Sequence, residues 1–322
     1  MAKLKKITLF IIGVFIFDYL FFFIMIYGVF TFKNEDYATT LHHPESPIIV
    51  MGASHAQESF NPLLMAEELG VDVFNLGGPG HNPLFLEYQT RLLLKKKSIP
   101  NLVILTITYN TINDYVKPHV IASFIQEGNM LRTTSYLMKM QNFNTPRKIF
   151  LSDIYSSSYR VLTSRSLSFL KNREFESPMP RHHERGYFGK NIELQPGIQP
   201  AKISQRSFQT NTQMIEGLKN CLSLWRKKNV QVVVVDTPEF YGTRLASVEY
   251  DKFEDLMHEL SENEGFIFKS FNRLDQPEQK NPELFRDGGW GIPNSHLNRK
   301  GAIWFNKIFC EWLQKTVDLK SL

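Results

Sequence analysis

Three short, mostly aliphatic runs constrain this chain more than any other feature. They are Pro47-Ile48-Ile49-Val50-Met51, Leu102-Val103-Ile104-Leu105-Thr106-Ile107-Thr108 and Val230-Gln231-Val232-Val233-Val234-Val235. A strand with one wet face alternates apolar and polar residues. A strand apolar at nearly every position is buried on both faces, which is the signature of a parallel sheet covered by helices. The sequence between the runs fits that reading. Helices are expected over 62–69, 83–97, 212–228, 248–262 and 299–316, with further strands over 71–76 and 265–269. Leu86, Leu92, Leu93 and Leu94 are the core candidates of the 83–97 helix. The expected fold class is therefore α/β, a three-layer parallel sheet with helices on both faces. Residues 115–207 break the rhythm. They hold one candidate helix at 148–170 and then a stretch rich in Pro, Arg, His and Gly, and they read as an insertion between the two halves of the sheet.

A second feature is the N-terminal 7–32 segment, apolar almost throughout and carrying a single formal charge, Asp18. As a helix, 26 residues would span about 39 Å at roughly 1.5 Å per residue, enough to cross a bilayer with tilt. The rival, a cleaved signal peptide, has a shorter apolar core and a small-residue cleavage site, which Gly28-Val29-Phe30-Thr31-Phe32 does not supply. Lys3, Lys5 and Lys6 precede the segment. The positive-inside rule then puts residues 1–6 in the cytoplasm, 7–32 in the membrane, a connector at 33–45 and the domain of 46–322 outside. Asp18 within the span reads either as a neutral or snorkelling carboxyl or as a contact with a polytopic membrane partner.

Composition narrows the function classes. The net charge is +5 (37 Lys and Arg against 32 Asp and Glu), and the basic residues are scattered. No nucleic-acid footprint is present. Neither a Cys-x-x-Cys nor a His-x-x-x-His occurs, and no cofactor or metal motif is recognised. Cys221 and Cys310 both fall on expected helices among apolar neighbours and read as buried thiols, although a disulfide is open to two cysteines in an oxidising compartment. His42-His43 and His182-His183 read as loop residues.

In open parallel sheets ligands bind beyond the carboxyl ends of the strands. The first run ends in Gly52-Ala53-Ser54-His55, the second strand in Asn75-Leu76-Gly77-Gly78 and the third in Thr108-Tyr109-Asn110. Asn294-Ser295-His296-Leu297-Asn298 precedes the last helix. Ser54, between small neighbours, is a candidate nucleophile, and His296 is the base that would take its proton. The Ser54 and Gly77 N–H groups and the Asn110 side chain are candidate oxyanion donors. Read singly, each residue has a plainer role: Ser54 as a helix cap, His296 as a loop histidine, Asn110 as a turn former and Asn75 as a strand end. Asp236-Thr237-Pro238-Glu239 either lines the same edge or makes a turn. His55 points into the cleft or away from it and is given no catalytic role.

These blocks, in this order, resemble the SGNH (GDSL-like) hydrolase superfamily, and the Ser-His opening and His-Leu-Asn ending on an anchored chain are most similar to its membrane-anchored envelope branch. That branch includes DltD-type teichoic-acid D-alanylation proteins and alginate O-acetylation proteins. The resemblance implies a flavodoxin-like sheet and serine-dependent acyl transfer or ester hydrolysis on an envelope polysaccharide or other acylated glycan. The membrane partner that Asp18 offers as one of its two readings would then be a polytopic acyltransferase. Three positions depart from the pattern. Ala53 and Thr111 stand where the superfamily has Asp, and Pro293 stands three residues before His296 where the triad acid belongs. Candidates for the third member are Asp287 and Asn294, or a backbone carbonyl. The second reading is a catalytically silent scaffold that binds a glycan or a membrane acyltransferase.

Overall fold

The structure is a computed structural model, describing residues 2–30, 46–78, 80–95, 99–113, 185–187, 205–287 and 293–319. The chain divides into two compact units, 1–39 with 115–181 and 40–114 with 182–322. The expected helix at 148–170 lies outside the described residues, as does most of the 115–207 segment.

Of the first unit, α1 (Ala2–Phe30) is a single helix of 29 residues. Side chains are described for 5–18 and for 20. Ile7, Leu9, Phe10 and Phe17 are among the exposed apolar ones. Among the described residues no helix is long and apolar enough to cross a membrane. The anchor expected over 7–32 runs through this stretch and past it.

The second unit is built on a parallel sheet. Its strands are β1 (Ile48–Gly52), β2 (Val73–Asn75), β3 (Leu102–Thr106), β5 (Gln231–Asp236) and β7 (Ile267–Ser270). β4 (Arg206–Ser207) and β6 (Ser247–Val248) form a separate two-stranded pair. The sheet order is β2-β1-β3-β5-β7, with every neighbour parallel. Numbered within the sheet this is 2-1-3-4-5, the flavodoxin-like order, whose switch point lies between β1 and β3. All five residues of β1 and all five of β3 are buried, because both faces are covered.

One face, through Ile48, Val50, Leu102, Ile104, Val233 and Val235, joins a core with Met65, Phe305 and Phe309. Those three come from α3 (Pro62–Leu69) and α9 (Arg299–Thr316), which pack on each other. Residues of the opposite parity face α4 (Pro83–Lys95) and α6 (Thr212–Arg226), which lie against each other. A Cβ on Gly217 would come within 2.9 Å of Leu84 N, so the two helices approach as closely as a glycine permits. Of the expected core residues of α4, Leu86 and Leu93 are buried. Leu92 and Leu94 are only half-buried, since α4 shows a single stripe to the sheet. Each fully buried large aliphatic or aromatic side chain contributes about 1.5–3 kcal/mol. Cys221 and Cys310 are free and buried, and burial pushes each thiol up to about 12.

Element boundaries differ from the expectations by a few residues, but one element differs in kind. His296 was expected in a segment leading directly into the last helix. It lies instead on β9 (Pro293–Leu297), paired antiparallel with β8 (Phe285–Asp287) in a hairpin. Phe285 and Leu297, both buried, anchor the hairpin to the sheet core and give it a fixed position.

Candidate active site

The site begins where β1 stops. Gly52 has φ +150°, a conformation closed to other residues, and a Cβ there would lie 2.7 Å from Thr106 Cβ and 2.9 Å from Thr106 O. The chain therefore turns sharply out of the sheet, and Ser54 becomes the first residue of α2 (Ser54–Ser59). Ala53 occupies the cap position without a side-chain bond, and its carbonyl accepts from the amides of Ala56 (3.0 Å) and Gln57 (3.3 Å). Ser54 is thus not the cap. Its amide lies at the open end of the helix, where N–H groups lack intrahelical acceptors.

Two asparagines fix this turn against the far end of the chain. Asn306 of α9 donates to Ser59 O (2.7 Å) and to Ala302 O (2.6 Å), and accepts from Asn61 N (3.1 Å). Asn298 caps α9 by accepting from Gly301 N (3.0 Å). It also donates to Glu283 O (2.6 Å) and Phe285 O (3.2 Å), tying the helix to the hairpin. Both asparagines are buried, so each bond is made without competition from water. Residues more than 240 positions apart are held in fixed register by these bonds, and the hairpin places His296 over α2.

His296 Nε2 lies 2.6 Å from Ser54 Oγ. That is the separation of a strong hydrogen bond, with the hydroxyl as donor when Nε2 is unprotonated. The ring of His55, the residue after Ser54, stacks on that of His296 with centroids 4.3 Å apart. Ser295 Oγ lies 3.1 Å from His55 Nε2 and 3.3 Å from His296 Nδ1. Thr237 Oγ1 lies 3.2 Å from His55 Nδ1, and Glu239 Oε1 lies 3.6 Å from His55 Nε2. Burial, with the charge of Arg286 added, pushes His55 down to about 4, so the ring is neutral near pH 7. Arg286 Nη1 in turn donates to both oxygens of buried Glu58, at 2.7 Å each.

The other expected site residues fall at the same edge in altered roles. Asn75 is a structural hub. It donates to Ala56 O and Phe60 O, at 2.8 Å each, and accepts the Gly77 amide at 2.8 Å. The Gly77 N–H is thereby committed to Asn75 and does not point as an oxyanion donor into the cleft. Gly77 serves close packing instead, since a Cβ there would lie 2.6 Å from Gln57 N. The Gly78 amide is committed too, to Gly52 O at 3.1 Å. His81 donates to the same carbonyl, and burial pushes its ring down to about 3. Asn110 is half-buried in α5 (Tyr109–Asn113), directly after β3, the neighbour of β1. Asp287 pairs in backbone register with Pro293 across the hairpin. The side chains of Asp287 and Asn294 lie outside the described residues.

Asp236-Thr237-Pro238-Glu239 does line the site. Thr237 and Glu239 face His55, and Asn272 Nδ2 donates to Glu239 Oε2 at 3.4 Å. Asp236 accepts from Tyr250 Oη and from Ser270 Oγ. Burial first, then the charge of Glu239, holds its carboxyl well above the usual range. The residues the sequence did not single out are Ser295, Glu58 and Arg286, and His55 was given no role. Position beside Ser54 and His296 was the only signal for His55 and Ser295. For Glu58 and Arg286 there was none. Among the described residues no cluster of three or more metal-ligating side chains occurs.

No family model matches the chain, and no curated protein matches it. Among solved structures it is similar to one described as "a putative lipolytic protein of G-D-S-L family" from Desulfitobacterium hafniense DCB-2. The identity is 8%, covering 82% of this chain and 97% of that one, with a TM-score of 0.36.

Proposed function

We propose that this protein carries out serine-dependent acyl transfer or ester hydrolysis through an acyl-Ser54 intermediate. The observation that carries the proposal is the 2.6 Å separation of His296 Nε2 and Ser54 Oγ at the carboxyl edge of a parallel sheet. A serine hydroxyl is a weak nucleophile until a base in contact takes its proton. His296 is positioned to do so as Ser54 attacks an ester carbonyl, and it would then return the proton to the leaving alcohol. The Ser54 amide and Asn110 are the oxyanion donors of this reading. The order of motifs, from Gly52-Ala53-Ser54 to Ser295-His296-Leu297-Asn298, supports membership of the SGNH (GDSL-like) superfamily. Together with the apolar 7–32 segment it supports the anchored envelope branch. The substrate class is an acylated envelope glycan or polymer, with the domain of 46–322 outside the cytoplasmic membrane and Asp18 facing a polytopic acyltransferase.

A second reading, a catalytically silent scaffold for a glycan or an acyltransferase, is favoured by two observations. Pro293 stands at the usual acid position, and the Gly77 amide is committed to Asn75. One experiment separates the two. The full-length chain is incubated with p-nitrophenyl acetate, quenched in acid, and the peptide containing Ser54 is examined by mass spectrometry. Release of nitrophenol with an acetyl group on Ser54 supports the enzyme. The absence of both release and adduct supports the scaffold.

A further inference from the structure

A serine–histidine pair works well only if something holds the base in the correct tautomer. For His296 to accept from Ser54 at Nε2, its proton must sit on Nδ1, and Nδ1 needs an acceptor. The position that would supply a carboxylate is Pro293, whose side chain accepts nothing. Among the described residues Ser295 Oγ faces Nδ1 at 3.3 Å, and Ser295 Oγ in turn faces the ring of His55, at 3.1 Å from Nε2.

Resting on the reading of Ser54 as nucleophile, we propose that Ser295 and His55 stand in for the triad acid as positioning residues. His296 Nδ1–H donates to Ser295 Oγ, Ser295 O–H donates to His55 Nε2, and His55 Nδ1–H donates to Thr237 Oγ1. Every donor in this chain meets one acceptor, and each distance from Ser54 Oγ to Thr237 Oγ1 lies between 2.6 and 3.3 Å. The opposite orientation of the chain puts the proton on His296 Nε2 and disables the base. Glu239 Oε1, at 3.6 Å from His55 Nε2, is too far to replace Ser295 as the bonding partner. The stacking of His55 on His296 adds a geometric constraint, because the two rings cannot rotate independently at 4.3 Å. Neutrality of His55 is part of the device, since a protonated His55 would present N–H at both nitrogens and could not accept from Ser295. When Ser54 reacts with a fluorophosphonate, its Oγ bonds to phosphorus and fluoride leaves. The hydroxyl proton passes to His296 Nε2 while the Nδ1 proton stays in place.

The test has two arms on the full-length chain. In the first, nitrogen-15 histidine NMR near neutral pH reads the ring tautomers, with His296→Gln and His55→Gln spectra used to assign them. His296 and His55 are both expected as Nδ1–H tautomers. In Ser295→Ala, His296 shifts toward a mixture, and Ser295→Thr, which keeps the hydroxyl, restores it. In the second arm, the rate of fluorophosphonate labelling at Ser54 falls roughly 10- to 10³-fold in Ser295→Ala, less than loss of a full triad acid, and is largely regained in Ser295→Thr. A His296 Nε2–H tautomer in the unmodified protein, or a tautomer unchanged by Ser295→Ala, overturns the proposal. So does labelling of Ser295→Ala at the unmodified rate, or a loss in Asp287→Asn that exceeds the loss in Ser295→Ala. If the unmodified protein is not labelled at all, the serine reading fails, and the tautomer arm still judges the relay by itself.

Discussion

The amino and carboxyl ends of the same five-stranded sheet are built on opposite plans. At the amino end, strands begin beside apolar Val230 and Phe266 or exposed Asn101. The polar contacts there are at least partly exposed: Ser46 Oγ donates to a half-buried Asp72 at 2.6 Å, Arg185 pairs with the same carboxylate, and Arg226 pairs with Glu264. At the carboxyl end, His55, Glu58, Asn75, Asp236, Thr237, Glu239 and Asn272 are all buried. Burying a polar group costs free energy unless it is fully bonded, and burying a charge costs more. A fold seeking stability alone would distribute or avoid such groups. Concentrating them at one end, with a serine and a histidine in contact at the centre, is the arrangement that the proposed acyl chemistry requires there, with the other end as support.

Substitutions at the two ends should differ sharply in effect. The largest effect is expected from His296→Gln, which keeps the hairpin and removes the base. Fluorophosphonate labelling of Ser54 should slow by about 10⁴-fold or more, with the melting temperature nearly unchanged. Next comes Gly52→Ala at the root of the nucleophile turn. A Cβ at φ +150° within 2.7 Å of Thr106 requires the backbone to move, and chemical denaturation should show a loss of about 4 kcal/mol or failure to fold. Arg286→Met removes the guanidinium paired with the buried Glu58 carboxylate and should cost about 3–5 kcal/mol in the same measurement.

Acid should act through the same end. His55 and His81 have folded values of about 4 and about 3 against an ordinary 6.5. Between those limits the unfolded chain binds protons that the folded chain refuses, so stability rises with pH. Their stabilisation is complete above pH 6.5 and is lost as pH falls toward 4 and 3. Asp236 acts oppositely, because burial raises its folded-state carboxyl well above 3.8, so the folded chain binds that proton more tightly than the unfolded one. Two histidines outweigh one carboxyl, so the melting temperature should fall as pH drops from 6.5 to 4. The smallest effect belongs to the amino end. Ser46→Ala removes one half-exposed bond and should cost about 1 kcal/mol or less by denaturation. A loss there as large as at Arg286 would erase the contrast between the two ends.

The contrast also explains what could be read from the sequence. Strands β1, β3 and β5 are built on aliphatic runs, which a sheet covered on both faces accommodates, and the last helix was legible to its terminal residues. The hairpin of β8 and β9 was not, because Phe285-Arg286-Asp287 and the segment from Pro293 to Leu297 carry no period-2 apolar pattern and one begins with proline. Ser54 and His296 were legible as residue types at strand and helix ends. The stacking of His55 on His296, like the contact between Glu239 and His55, is a long-range contact without local signature. The Gly77 amide is an instructive miss. An asparagine two residues before an amide commonly captures it, so the Asn-x-Gly spacing held the clue to its loss as an oxyanion donor.

The most direct measurement is site-resolved mass spectrometry of the full-length chain after exposure to a fluorophosphonate, in parallel with Ser54→Ala. A single adduct on Ser54 is expected, absent in the variant and slowed by loss of His296. An unlabelled Ser54 in protein shown by its melting transition to be folded, or labelling that persists in Ser54→Ala, would contradict it.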